Sequence, residues 1–256
     1  MAVISAVSVV IPFYNEYGNI TPLVEEVVYA LKTVPSWQLI LVNDGSTDQT
    51  AQELENVCRL YPNCIPIHHQ TNQGQSSALY TGILRARHDW IITLDGDGQN
   101  NPQDIAALIM ALADQNNHVA FGNRINRKDS LIKKLSSRLA NYIRILILDD
   151  HCLDTGCSLK LFPKSVFLSL PRFNHCHRFL PALFQFSGYN VINVPVSHRP
   201  RIRGQSKYGF WGRLWSGIFD LIGVLWLKKR YLRPALTQES QPISNAPFSA
   251  QKQQLP

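Results

Sequence analysis

Residues 90–99 read Trp90-Ile91-Ile92-Thr93-Leu94-Asp95-Gly96-Asp97-Gly98-Gln99. An apolar, β-branched run that breaks into alternating Asp and Gly predicts a buried strand over Trp90–Leu94 with a turn at its carboxyl end. Two carboxylates placed there, with flexible glycines between them, can hold a hard divalent cation that bridges a diphosphate. Taken alone, the triplet also fits a plain acidic turn. It does not fit an EF-hand calcium loop: with Asp95 first, the sixth residue is Asn100 rather than Gly and the twelfth is Ala106 rather than Glu.

The same strand-then-turn grammar recurs on either side of this stretch. Val7–Phe13, Gln38–Val42, Cys64–His68 and His118–Phe121 read as further strands. Asn19–Thr33, Asp48–Tyr61, Gln75–Arg87 and Pro102–Asp114 read as the helices between them. This alternation predicts an α/β fold with a mostly parallel central sheet and flanking helices. Segments 43–48, 72–74 and 95–99 each follow a strand and so converge on one crevice at the carboxyl ends of the strands. Asp44, beside Gly45 and Ser46, is placed there to accept hydrogen bonds from a nucleobase or ribose, and Asn15 and Glu16 are placed similarly; both segments could instead cap the helices that follow. The phosphate-cradling patterns GxGxxG and GxxxxGK[ST] are absent, which counts against a dinucleotide dehydrogenase and a P-loop NTPase.

Charge divides the chain of 256 residues more sharply than its net +7 indicates. Residues 1–123 carry 12 Asp or Glu against 4 Lys or Arg, and residues 124–256 carry 6 against 21, so the halves stand at −8 and +15. No acidic residue lies between Asp154 and Asp220. Such a stretch repels itself unless an anion, a membrane surface or the acidic half compensates it. Beyond Arg124 the alternation stops. Leu131–Leu148 reads as a basic amphipathic helix with Leu135, Leu139, Tyr142 and Leu146 on one stripe and Lys134, Arg138 and Arg144 near its edges. Phe210–Leu227 is apolar but interrupted by Arg213 and Asp220 and followed by Lys228-Lys229-Arg230, which suits either the plane of a membrane interface or a core-facing helix with a solvated end. No apolar run is long enough to span a bilayer and no basic-flanked leader opens the chain, so neither a span nor export is expected. Cys58, Cys64, Cys152, Cys157 and Cys176 form no CxxC, which predicts free thiols in a reducing compartment. A zinc site among His151, Cys152, Cys157, His175, Cys176 and His177 matches no known spacing, and buried thiols with exposed imidazoles are the simpler reading. A nucleic-acid partner is not expected, because the basic half lacks interleaved aromatic stacking platforms.

Taken together, Val9-Val10-Ile11-Pro12-Phe13-Tyr14-Asn15-Glu16, Val42-Asn43-Asp44-Gly45-Ser46-Thr47-Asp48, Asn72-Gln73-Gly74, Leu94-Asp95-Gly96-Asp97-Gly98-Gln99 and Gly122-Asn123-Arg124 resemble the motifs of family 2 glycosyltransferases of the GT-A fold, in order and over nearly the whole chain to about Arg230. Within that family Ser137-Arg138-Leu139-Ala140-Asn141, Asp154-Thr155-Gly156 with Lys160, and residues 199–209 resemble the polyprenyl-phosphate branch, which includes the dolichol-phosphate mannose synthases. The resemblance implies one GT-A domain over 1–230, with a nucleotide- and metal-binding half (1–123) and an acceptor half (124–230), ahead of a disordered tail over 231–256. It implies that Pro12, Asn15, Glu16, Asp44, Gly74, Gln99 and Arg124 bind the nucleotide-sugar donor and that Asp95, Asp97 and Gln99 hold Mg²⁺ or Mn²⁺. Lys133, Ser137, Arg203 and Lys207 would take the acceptor phosphate, and Asp95, Asp97, Asp154 and Arg203 would be catalytic. In two places this chain departs from the pattern. Lys133 stands where an Arg is common, keeping the charge but losing the planar fork, and Gln75 stands where a Lys is common.

A hydroxyl acceptor needs a base to remove its proton, and the hydroxyl-acceptor branches of the family usually offer an acidic residue at the segment written here Asn174-His175-Cys176-His177-Arg178-Phe179-Leu180. No carboxylate lies in it. A lipid phosphate is already anionic and needs only cationic partners, which the acid-free stretch supplies. The expected reaction is therefore inverting transfer of a sugar from a nucleotide-diphospho-sugar to a polyprenyl phosphate by a cytoplasmic enzyme bound peripherally to the membrane, with room for a separate membrane protein partner. A glycan or lipid hydroxyl acceptor, with His177 or Asp154 as base, stays open as the alternative, as does an inactive partner subunit. Asp154 could otherwise orient Lys160 or Arg203 by an ion pair.

Overall fold

Strands β1 (Ala6–Phe13), β2 (Ser36–Asn43), β3 (Cys64–His68), β4 (Trp90–Thr93), β5 (His118–Arg124), β6 (Lys160–Pro163) and β7 (Asn190–Val196) build one sheet in the order β3-β2-β1-β4-β6-β5-β7. The computed structural model describes residues 4–113, 115–125, 141–200 and 210–231. β1 pairs in parallel with β2 and β4, β2 with β3, and β5 with β7, whereas β6 runs antiparallel between β4 and β5. Strand order reverses on either side of β1, and that switch point opens a crevice between the carboxyl ends of β1 and β4.

The helices follow from the sequence pattern. α1 (Ile20–Ala30), α2 (Thr50–Leu60) and α4 (Ile105–Ala111) cover one face, and α3 (Gln75–Arg85), α6 (Lys164–Ser169), α7 (Leu180–Phe186) and α8 (Phe210–Arg230) cover the other. Residues Val7, Val9, Ile11 and Phe13 of β1 point into the first layer and Val10 into the second, so the strand is buried on both sides and reads as a continuous apolar run. α3 lies directly on the sheet because Gly82 has no side chain; a Cβ there would fall 2.4 Å from Val10 Cγ1.

The alternation does not stop at Arg124, as the sequence reading expected: β6, α6, α7 and β7 extend it. Two features hide these strands. β6 is four residues, Lys160-Leu161-Phe162-Pro163, that start on a charge and end on a proline. β7 is an edge strand that carries an exposed Pro195, which an edge tolerates and a central strand does not.

The basic helix requires a second correction. Of Leu131–Leu148, residues 141–148 are described and helical (α5). Tyr142 and Leu146 face outward at 64% and 73% exposure, and Arg144, expected near the edge, is buried. Asp150 is fully buried and pairs with the Arg144 guanidinium, which also donates to the Cys152 carbonyl at 2.5 Å. A buried carboxylate without that partner is far costlier than an exposed Leu, so the ion pair sets the helix rotation. α8 answers both readings offered for it. Val224 is buried against the second core layer with Leu221 and Leu225 beside it, while Phe219, Ile222 and Trp226 are exposed on the opposite stripe. Lys228 Nζ donates to the Leu148 carbonyl at 2.9 Å, which ties the ends of α5 and α8 together. Among the described residues no helix is long and apolar enough to cross a membrane. Tyr231, assigned by sequence to the tail, bonds Ser187 Oγ through its hydroxyl at 2.7 Å; residues 232–256 lie outside the described residues.

Candidate functional site

The crevice at the switch point is a cavity of about 670 Å³ lined by Pro12, Phe13, Tyr14, Asn15, Glu16, Asp44, Asn72, Gly74, Gln75, Asp95, Gly96 and Asp97. Four strand-end loops thus meet there, the one after β1 and the three that the strand-then-turn pattern brings to one crevice. The first two are stitched together: the Asn15 amide donates to Ser46 Oγ at 2.9 Å, the Thr47 amide to Asn15 Oδ1 at 2.8 Å, and the Glu16 amide to Thr50 Oγ1 at 2.9 Å. Asn15 holds a left-handed backbone, φ 52°, which Asn tolerates better than most residues.

Asp44 is buried at the centre of this loop network. Its Oδ1 accepts the Gln73 amide at 2.9 Å and lies 2.8 Å from His69 Nδ1, and its Oδ2 accepts the Gly74 amide at 2.8 Å and the Asn72 side chain at 3.0 Å. In this structure the carboxylate therefore organises the 72–74 loop as well as lining the cavity, a role the sequence reading did not assign. The loop comes this close only because residue 45 is glycine. Its φ is +66°, and a Cβ there would fall 2.3 Å from the Thr71 carbonyl carbon. His69 was missed in the sequence, although its position immediately after β3 was the available signal.

At the other end stand Asp95 and Asp97. Burial and then the neighbouring Asp97 charge push the Asp95 carboxyl up to about 6, and Lys160 and Arg124 act in the opposite direction. Gln75 Nε2 donates to Asp95 Oδ1 at 2.6 Å, a neutral amide that adds no charge to the site. Gly96 allows the close packing, since a Cβ there would fall 2.4 Å from Phe13 Cδ1. Two neighbouring carboxylates at the end of the cavity, one of them held above its ordinary range by burial and then by the other's charge, fit a hard divalent cation. Among the described residues no three His, Cys, Asp or Glu side chains group as metal ligands. Gln99 and Arg124 do not line this cavity. The Gln99 amide donates to Asp97 Oδ1 at 3.1 Å and its carbonyl accepts the Arg199 amide at 2.9 Å.

Beside the carboxylates lies β6, from the basic half of the chain. Arg124 at the end of β5 grips Asp154 with both prongs, Nε to Oδ2 at 2.6 Å and Nη2 to Oδ1 at 2.8 Å. Asp154 is thus paired with Arg124, a partner the sequence reading did not name; Arg203 lies outside the described residues. Gly156 leaves room for the fork, because a Cβ there would come within 2.9 Å of Arg124 Nη2. Lys160 pairs in register with Thr93 and Phe121, is buried, and donates to the Cys157 carbonyl. Burial lowers its pKa, while Asp95 and Asp154 act to raise it.

His177, expected among exposed imidazoles, is instead half-buried, and loss of water around the ring and then Arg178 drive its pKa down to about 3. The His177 amide donates to Ser76 Oγ at 3.3 Å, leaving the hydroxyl proton for His177 Nδ1 at 2.8 Å, so the ring is a neutral acceptor. His175 Nδ1 lies 3.1 Å from Asp220 Oδ2 and joins this turn to α8. The thiols of Cys152 and Cys157 are buried. Pro12, Asn15, Glu16, Asp44, Gly74, Asp95 and Asp97 thus share one cavity and Arg124 joins Asp154. Lys133, Ser137, Arg203 and Lys207 lie outside the described residues.

Residues 8–170 match the model of the family described as glycosyl transferase family 2. The chain is 36% identical to the dodecaprenyl-phosphate galacturonate synthase of Rhizobium johnstonii, over 89% of this chain and 68% of that protein. It is 34% identical to the undecaprenyl-phosphate 4-deoxy-4-formamido-L-arabinose transferase of Edwardsiella ictaluri, over 87% and 68%. In fold it matches glucosyl-3-phosphoglycerate synthase from Mycobacterium tuberculosis, solved with Mn²⁺, uridine diphosphate and glucosyl-3-phosphoglycerate. The TM-score is 0.65 at 17% identity, over 88% of this chain and 80% of that one.

Proposed function

The chain belongs to glycosyl transferase family 2, and from that premise we propose that it moves a sugar, with inversion, from a nucleoside-diphosphate donor to a polyprenyl phosphate at the cytoplasmic surface of a membrane. Two relatives at 34–36% identity are named for transfer to dodecaprenyl or undecaprenyl phosphate, and the matched fold has been solved with uridine diphosphate and Mn²⁺. The donor lies in the 670 Å³ cavity with its base toward Asp44 and its diphosphate toward Asp95 and Asp97. Those two carboxylates would hold Mg²⁺ or Mn²⁺, which supplies Lewis acidity against the charge developing on the leaving diphosphate. Asp154 positions Arg124, whose pKa is raised by that partner, so the guanidinium stays charged beside the reacting phosphates.

One observation carries the choice of acceptor. The two groups that the sequence offers as base toward a hydroxyl are both compromised: Asp154 is engaged through both oxygens by Arg124, and His177 is neutral with a pKa of about 3, far below an effective general base. An acceptor that arrives as a phosphate anion needs neither. The exposed stripes of α5 and α8, with Lys229 and Arg230 beside them, suit the anionic headgroup layer of a cytoplasmic leaflet. The test is transfer of label from a UDP-sugar to undecaprenyl phosphate with Mn²⁺. An acid-labile lipid-linked sugar is expected from the native chain and none from Asp97→Ala. Failure across a panel of UDP- and GDP-sugars would defeat the reading.

A further inference from the structure

Behind the donor cavity lies a second one, of about 390 Å³, that the reaction outlined above leaves unused. Its size falls within the range of small-molecule sites, roughly 300–1,000 Å³. Phe167 and Leu170 at the end of α6 and Leu183 of α7 form its buried floor, and Tyr80 of α3 and Phe173 form its sides. The two cavities share a wall one backbone thick. Along residues 72–77, Asn72, Gly74 and Gln75 line the donor side, and Gln73, Ser76 and Ser77 line this one. At the rim the exposed Arg172 guanidinium lies 4.4 Å over the Tyr80 ring, which leaves a cation beside an otherwise apolar slot. The neighbouring turn is tied to the interfacial helix through His175 and Asp220.

We propose that this groove seats the first isoprene units of the acceptor lipid, an inference that rests on the polyprenyl-phosphate reading above. An apolar hollow open to solvent is unfavourable unless something apolar fills it. Here the filler must satisfy three conditions that an isoprenoid phosphate meets at once. Its body is apolar and flat enough to lie against Tyr80, Phe167 and Phe173. Its head is an anion that Arg172 can attract. Its phosphate end must lie at the rim, where it can pass around the 72–77 wall, one backbone thick, to the donor. The His175–Asp220 contact sets this rim beside α8, where Phe219 and Ile222 are exposed.

Two measurements on the full chain test this. Transfer is first compared across geranyl, farnesyl and undecaprenyl phosphate, for the native chain and for Ser77→Trp, which fills the groove from α3; thermal stabilisation by a UDP-sugar with Mn²⁺ serves as the folding check. The native KM is expected to fall as the isoprenoid lengthens. Ser77→Trp is expected to raise the KM for farnesyl phosphate by about tenfold or more and to flatten the dependence on chain length. Second, farnesyl phosphate carrying a photoreactive diazirine on its first isoprene should label the native chain within residues 73–80 or 167–183. Transfer by the native chain with an unchanged length preference in Ser77→Trp, or a label falling outside both segments, overturns the groove while leaving the acceptor class standing. Transfer to none of the three phosphates overturns both.

Discussion

His177 couples turn 176–178 to α3 through Ser76, and its partial burial makes that coupling sensitive to pH. In the unfolded chain the imidazole titrates near 6.5, and in the folded one near 3. The unfolded state therefore takes up the proton first as pH falls. The stability that neutral His177 provides is complete above pH 6.5 and is lost progressively between 6.5 and 3, at no more than about 1.4 kcal/mol per pH unit. Urea midpoints measured at pH 7, 6 and 5 should drop more steeply for the native chain than for His177→Gln. Parallel slopes would mean that the ring is not held in neutral form. At this scale the sequence was legible where a residue's role follows from its own loop: Asp95, Asp97, Asn15 and Glu16 fall where the strand-end pattern puts them. It was less so for roles set by partners distant in the chain. Asp44 is held by donors from 69–74, and Asp154 by an arginine 30 residues earlier.

Among the elements, β6 and the α5–α8 pair were the least legible in the sequence. β6 carries Lys160 against Thr93, next to the acidic turn, yet four residues ending in proline give no period from which to predict a strand. For α5 the reason differs. Amphipathicity alone does not say which face turns inward; of the expected stripe Tyr142 and Leu146 are described, and the buried Arg144–Asp150 pair turns them outward. Together with Phe219, Ile222 and Trp226 they form the membrane-facing surface proposed above. Each Lys or Arg near an anionic bilayer contributes about 1 kcal/mol, so Lys229→Gln with Arg230→Gln should weaken binding to phosphatidylglycerol-containing vesicles by roughly thirtyfold at low salt. Trp226→Ser should weaken binding to neutral vesicles as well. Sedimentation with vesicles checks both, and equal partitioning of all variants would remove α8 from the membrane contact.

Across the whole molecule, the division between an acidic first half and a basic second half acquires a place. The acidic pair sits at the β1/β4 switch point, and β6 brings the cationic half against it, so the two charge fields meet at the end of the donor cavity. The parallel first half was readable from periodicity because its strands are long, apolar and separated by complete helices. Strand order was not, since it is fixed by packing between elements far apart in sequence. The central claim is that the acceptor arrives already charged and no protein base is needed. It is tested most directly by comparing kcat/KM for undecaprenyl phosphate and for undecaprenol, with the same donor and Mn²⁺. The account predicts transfer to the phosphate and none detectable to the alcohol; comparable transfer to both would contradict it.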